Sequence, residues 1–104
     1  MNENFSVTVR RENSNAILDL KGDINGFAES ALNSAYTEAE SGAPETVVLN
    51  FEQVDYVNST GIALIVGLLA KARVAHRQLV AANLTEHYRE IFTITRLSDF
   101  ITIR

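Results

Sequence analysis

Apolar and polar residues alternate over Phe5, Val7 and Val9 and again over Ala16, Leu18 and Leu20, with the polar run Glu12-Asn13-Ser14-Asn15 between them. Side chains along a strand point to opposite faces in turn, so this pattern predicts two antiparallel strands joined as a hairpin. From Phe27 the spacing lengthens to Phe27, Ala31, Leu32, Ala35, Tyr36 and Ala39, the period of a helix with one buried stripe. Gly42 can take the left-handed conformation that ends a helix and Pro44 cannot continue one, which puts the stop near Ser41.

Thr46-Val47-Val48-Leu49-Asn50-Phe51 is almost uninterrupted in β-prone residues and reads as a central strand, buried on both faces between parallel neighbours. After a polar connection, the length and the Leu, Ala and Lys content of Ile62 to Val74 favour a second helix. Gln78 to Ala82 reads as another buried strand. Asn83 followed by Glu86 resembles a capping box that opens a third helix through Tyr88, Ile91 and Phe92, and Phe100 to Ile103 closes the chain as a short strand. The order β-β-α-β-α-β-α-β predicts an α/β fold, a mixed β-sheet with helices packed on it.

Composition narrows the function classes. The 104 residues suit one domain over 1–104, and 46% hydrophobic with 21% charged residues is ordinary for a globular chain. A formal net charge of -4 with scattered Lys and Arg offers no basic footprint for nucleic acid. The absence of Cys removes disulfides and thiolate chemistry, consistent with a reducing cytoplasm. Met1 to Arg10 has no apolar core of a signal peptide, and the apolar stretch Gly61 to Ala70 is half of the ~20 residues that cross a bilayer, so no membrane insertion is expected.

Asn58-Ser59-Thr60-Gly61 lies where the central strand hands over to the second helix. Unpaired N–H groups of a first helical turn face such a corner and favour an anion. A phosphate on Ser59 would bring about -1.5 to -2 charges and three strong acceptors beside the positive end of that helix, a place that tolerates it without unfolding. Equally, Asn58, Ser59 or Thr60 can serve simply as a helix cap.

The segments Thr46 to Phe51 and Val57-Asn58-Ser59-Thr60-Gly61-Ile62 resemble the core motif of the anti-sigma factor antagonist family, the STAS domain. Ile17-Leu18-Asp19-Leu20-Lys21-Gly22-Asp23-Ile24 resembles that family's second strand, and Asn83 to Ile103, with Thr95-Arg96-Leu97-Ser98-Asp99-Phe100, its closing helix and strand. The resemblance implies a cytoplasmic antagonist in a partner switch. Its unphosphorylated form binds an anti-sigma factor that is also a serine kinase and so releases a sigma factor; phosphorylation breaks the contact until a phosphatase resets it. Ser59 matches the phosphorylated hydroxyl of the family's Asp-Ser-Ser/Thr-Gly motif, with Thr60 second. Asn25, Asn58, Ser59, Thr60, Gly61 and Leu64 are the expected partner-binding residues, and no cofactor is implied. Asn58 replaces the motif's Asp, while Asn50 and Asn25 stand where acidic residues are common, so each removes a charge and a carboxylate's capacity to engage a metal ion or a hydroxyl proton. The alternative is an unphosphorylated STAS scaffold or transporter-associated module that meets other STAS proteins.

On a helical wheel Ile62, Ile65, Val66 and Leu69 share one face and are expected against the sheet, whereas Leu64 falls beside Lys71. Leu64 and Leu68 either meet a partner or pack under a neighbouring element. Gly67 costs roughly 1 kcal/mol inside a helix relative to Ala, which close packing of another backbone or of a partner would explain. Ser59 at a strand-to-helix turn also suggests a serine hydrolase elbow, but that turn needs Gly where this chain has Val57, and neither His76 nor His87 is paired with it by any local signal. Glu52 and Asp55 read as solvated loop charges rather than metal ligands. No catalytic residue and no metal site is expected.

Overall fold

The first hairpin forms as the alternation requires: β1 (Phe5–Glu12) runs antiparallel to β2 (Asn15–Ile24), with Glu12 opposite Asn15 across a turn in which Asn13 has φ 57°. The structure is a computed structural model that describes residues 4–104; Met1 to Glu3, part of the N-terminal stretch considered above, lie outside the described residues. A 3-10 turn, Gly26–Ala28, leads into α1 (Glu29–Glu40), then β3 (Thr46–Val57), α2 (Ser59–Val74), β4 (Gln78–Ala82), α3 (Glu86–Ile94), a second 3-10 turn at Leu97–Asp99 and β5 (Thr102–Ile103).

The five strands form one sheet in the order β1-β2-β3-β4-β5, antiparallel at β1–β2 and parallel elsewhere. Each helical connection therefore steps one strand in the same direction. Crossovers of one hand that step one way lay their helices on one face. Burial agrees: Leu32, Tyr36, Ile65, Leu68 and Phe92 of the helices share a core with Ala16, Leu18, Val47, Leu49 and Leu79 of the sheet. Phe92 stands edge-on to Phe51, the ring centroids 6.1 Å apart, and a buried side chain of this kind contributes about 1.5–3 kcal/mol.

β3 is buried on both faces at Val47, Val48 and Leu49, as expected, although helices pack on only one of them. Ile17, Val48 and Val80 form a second, small cluster made only of strand residues on the helix-free face. Polar neighbours border that strip. Arg10 donates to Asp19 (Nε to Oδ2, 2.6 Å) and to Glu12, Asn50 Nδ2 donates to Asp19 Oδ1 at 2.8 Å, and Asn83 Nδ2 donates to Asn50 Oδ1 at 2.8 Å. The amide at position 50 thus both donates and accepts, which a carboxylate could not do.

The polar connection after Phe51 is also strand. β3 continues to Val57 against β2, with register shifts between Asp19 and Lys21 and between Gly22 and Asp23. Each shift inserts one extra β3 residue, so the inward positions after Phe51 are Val54 and Val57, where strict alternation would have pointed Gln53 and Asp55 inward before Val57. β4 pairs β3 only as far as Asn50, which leaves this second half of β3 with β2 alone.

Other local expectations shift. Phe27 is 71% exposed rather than part of α1's buried stripe. Ala43, φ 50°, and not Gly42 holds the left-handed position after α1; a Cβ on Gly42 would collide with the Arg11 guanidinium, which donates to the Ala39 and Glu38 carbonyls at the helix end. The third helix is capped by Thr85, whose hydroxyl accepts from Tyr88 N–H, while Asn83 sits in the turn before it at φ 62°.

Arg10 holds the Asp19 carboxyl below the usual carboxylate range, and the Asn50 amide acts in the same direction. A folded pKa below the unfolded one means stability that is full at neutral pH and is lost as pH falls below about 4 toward the folded value. Asn50→Asp exchanges a donor for a like charge, and the expected outcome is a rise in the Asp19 pKa, read by NMR titration of its carboxyl carbon. An unmoved Asp19 titration would contradict the network.

Candidate functional site

The parallel pairing of β2 and β3 brings both strands to an end together, with Ile24 opposite Val57. Each strand then hands over to a helical turn through an Asn. Asn25, in extended conformation, accepts the Phe27 N–H on Oδ1 at 2.9 Å; Asn58, also extended, accepts the Gly61 N–H on Oδ1 at 2.8 Å. Of the three cap candidates at the second turn, Asn58 is therefore the cap, and Ser59 and Thr60 are the first two residues of α2. Both are exposed.

Three contacts fix the corner. The Asn58 N–H donates to the Ile24 carbonyl at 3.2 Å. A Cβ on Gly61 would run into that same carbonyl oxygen and lie 2.9 Å from Val57 Cγ1, so only glycine lets α2 seat this closely on the end of β2. From α3, the buried Tyr88 hydroxyl accepts the Val57 N–H at 2.8 Å, satisfying the last amide of β3. The two turns also adjoin: a Cβ placed on Gly26 would be in ordinary contact, 3.6 Å, with Thr60 Cγ2.

Asn25, Asn58, Ser59, Thr60 and Gly61 thus meet at one corner of the molecule. Asn50 does not; it belongs to the polar network on the open sheet face. Leu64 is half-buried and packs against the core, and Leu68 is fully within it. The buried face of α2 is Gly61, Ile65, Leu68, Leu69 and Ala72, a rotation from the expected one that leaves Val66 43% exposed. Gly67 also faces open space, since a Cβ there would meet nothing within 4 Å, so no neighbouring backbone within the described residues accounts for it. Tyr88 and Phe27 belong to the corner too. Neither carries a sequence signal for it, because one arrives from a distant helix and the other depends on a 3-10 turn.

The charge at the corner is set by backbone. α2 has no acidic residue in its first turn and carries Lys71 and Arg73 in its last, so the positive end of its dipole is not neutralised by its own side chains. Among the described residues no three His, Cys, Asp or Glu side chains gather where they could share a metal ion. His76 lies beyond the far end of α2, and His87 stacks edge-on against Tyr88 at 5.0 Å.

A family model described as the STAS domain matches residues 6–104. The chain belongs to the STAS domain family. The anti-sigma-B factor antagonist of Bacillus subtilis (strain 168) is 29% identical over 101 residues, covering 96% of this chain and 91% of the relative. That of Listeria monocytogenes serovar 1/2a is 24% identical over 102 residues, 97% of this chain and 90% of the relative. Among solved structures, the Bacillus cell fate determinant SpoIIAA in the phosphorylated form superposes with a TM-score of 0.72 at 18% identity, covering 95% of this chain and 91% of that one. Unphosphorylated SpoIIAA superposes with a TM-score of 0.70 at 19% identity, covering 86% and 83%. At these identities the solved structures bear on the fold, and the curated relatives are regulators named for antagonising an anti-sigma factor.

In this STAS domain the Asn58 side chain acts as a hydrogen-bond acceptor toward α2, which separates its capping role from its lack of charge. Asn58→Ala is expected to lower unfolding free energy by about 1 kcal/mol, and Gly61→Ala by about 1–3 kcal/mol through the clash with Ile24. Asn58→Asp keeps the acceptor and is expected to stay within about 0.5 kcal/mol of wild type. Urea denaturation checks all three, and a Gly61→Ala protein as stable as wild type would contradict the close seating of α2.

Proposed function

We propose that this chain, as one STAS unit over 1–104, is a cytoplasmic anti-sigma factor antagonist, regulatory and not catalytic, whose Ser59 corner binds an anti-sigma factor serine kinase. Phosphorylation of Ser59 ends that binding and frees the anti-sigma factor to hold its sigma factor; a phosphatase restores the antagonist. The observation that carries this reading is an exposed Ser59 in the first turn of a helix with no acidic residue of its own there, held by Asn58, Gly61 and the Ile24 carbonyl. A dianion is accommodated at that place by the helix end. Placed in a desolvated contact, the same dianion must find a counter-charge or break the contact, which accounts for release without refolding. The names of the curated relatives and a structural relative solved in a phosphorylated form support the same role.

One observation favours a second reading. Asn25 and Asn58 both use Oδ1 for capping and neither brings a carboxylate to Ser59. A turn of that kind suits a constitutive STAS scaffold or transporter-associated module that contacts other STAS proteins or a transporter and never carries phosphate.

Incubation with the cognate kinase and ATP separates the two. The switch reading expects phosphate on wild type and Thr60→Ala and none on Ser59→Ala. Unchanged uptake in Ser59→Ala would reject the assignment, and a stable complex with no uptake in wild type would favour the scaffold.

A further inference from the structure

Phe27 is 71% exposed, although its position in the chain suggests a buried helical stripe. Single apolar residues on a surface are ordinary. Three observations set this one apart. First, its backbone is fixed: the Phe27 N–H donates to Asn25 Oδ1 at 2.9 Å, the Ala28 N–H donates to the Asn25 carbonyl at 2.9 Å, and Ala28 is fully buried. The ring is therefore presented by a clamped turn and not by a loose loop. Second, that turn adjoins the Ser59 corner, since a Cβ placed on Gly26 would lie 3.6 Å from Thr60 Cγ2. Third, the ring has no aromatic or cationic neighbour among the described residues, in contrast to exposed Phe100, which lies under the Arg73 guanidinium at 5.3 Å.

From these we infer that Phe27 is the aromatic anchor of the partner interface: its phenyl ring fills an apolar pocket on the anti-sigma factor beside the place where Ser59 is read. The inference rests on the proposed antagonist role and adds the residue that supplies binding strength. An exposed aromatic on a fixed backbone has only two side-chain torsions to order on binding and gains the desolvation of its ring, the profile of an interface hot spot. Ser59 and Phe27 then divide the work. Phosphate at Ser59 decides whether the surfaces meet, and Phe27 sets how long they stay together, so its loss acts on dissociation. The Asn25 cap acquires a further role in the same contact, because its Oδ1 holds the backbone that presents Phe27.

The test is a binding measurement between the full chain and each purified anti-sigma factor of the source organism, with wild type, Phe27→Ala and Ile94→Ala. Ile94, 77% exposed at the end of α3, is the control for loss of an exposed apolar side chain. The expected result is a loss of affinity of about 30-fold or more for Phe27→Ala, carried mainly by faster dissociation, with thermal unfolding unchanged and Ile94→Ala binding as wild type. Wild-type affinity in Phe27→Ala overturns the anchor and leaves the antagonist role standing. Failure of wild type to bind any anti-sigma factor overturns the antagonist role and the anchor with it. Self-association of the chain that Phe27→Ala abolishes assigns the ring to a second copy and also overturns the inference.

Discussion

The close seating of α2 on the ends of β2 and β3 is the constraint on which the rest depends. Gly61 has no side chain because the Ile24 carbonyl oxygen occupies the space a Cβ needs, and the Asn58 N–H donates to that same oxygen. Asn58 closes the helix end from one side and Tyr88 satisfies the last β3 amide from the other. With the Asn58, Gly61 and Val57 amides engaged, Ser59 emerges, exposed, on a helix start whose backbone is held from below. A modification there changes the surface while the support beneath it stays in place.

Sheet order explains why the corner exists at all. Because the sheet winds in one direction, all three helices cover one face, and the parallel strands β2 and β3 deliver their C-terminal ends to the same edge, where the two Asn-capped turns lie side by side. The opposite face has no helix and protects its short apolar strip with the Arg10, Asp19, Asn50 and Asn83 chain of hydrogen bonds. The two Asn residues at the corner and Asn50 on the open face therefore answer to different requirements. At the corner the amide oxygen caps a helix; on the open face the amide must donate and accept at once.

Much of this was legible in the residues, because most of the chain follows one period at a time. The hairpin, the runs at Val47 to Leu49 and Leu79 to Ala81, and the stripe from Ala31 to Ala39 each keep a single period throughout. Reading fails where the period changes inside an element. In β3 the inward residues go Phe51, Val54, Val57, a spacing of three imposed by two irregularities, so a real strand looks like a polar loop. At Phe27 a 3-10 turn precedes α1 and rotates the ring away from the stripe it extends in sequence. In α2 apolar residues surround the helix, which leaves the pattern little power to say which side is buried; Gly61, through a contact with a strand far away in sequence, decides it. The Asn83 capping signal is overridden for a similar reason, its amide being engaged with Asn50 across the sheet.

The central claim is that Ser59 accepts a phosphate on a support that does not move. Its most direct test is the amide NMR spectrum of the chain with phosphoserine installed genetically at position 59, beside the unmodified chain. The account predicts shift changes confined to residues 25–28 and 57–64, with a thermal midpoint equal to or slightly above wild type because the added charge meets a positive helix end. Changes spread through the sheet and α1, or a clear fall in the thermal midpoint, would contradict it.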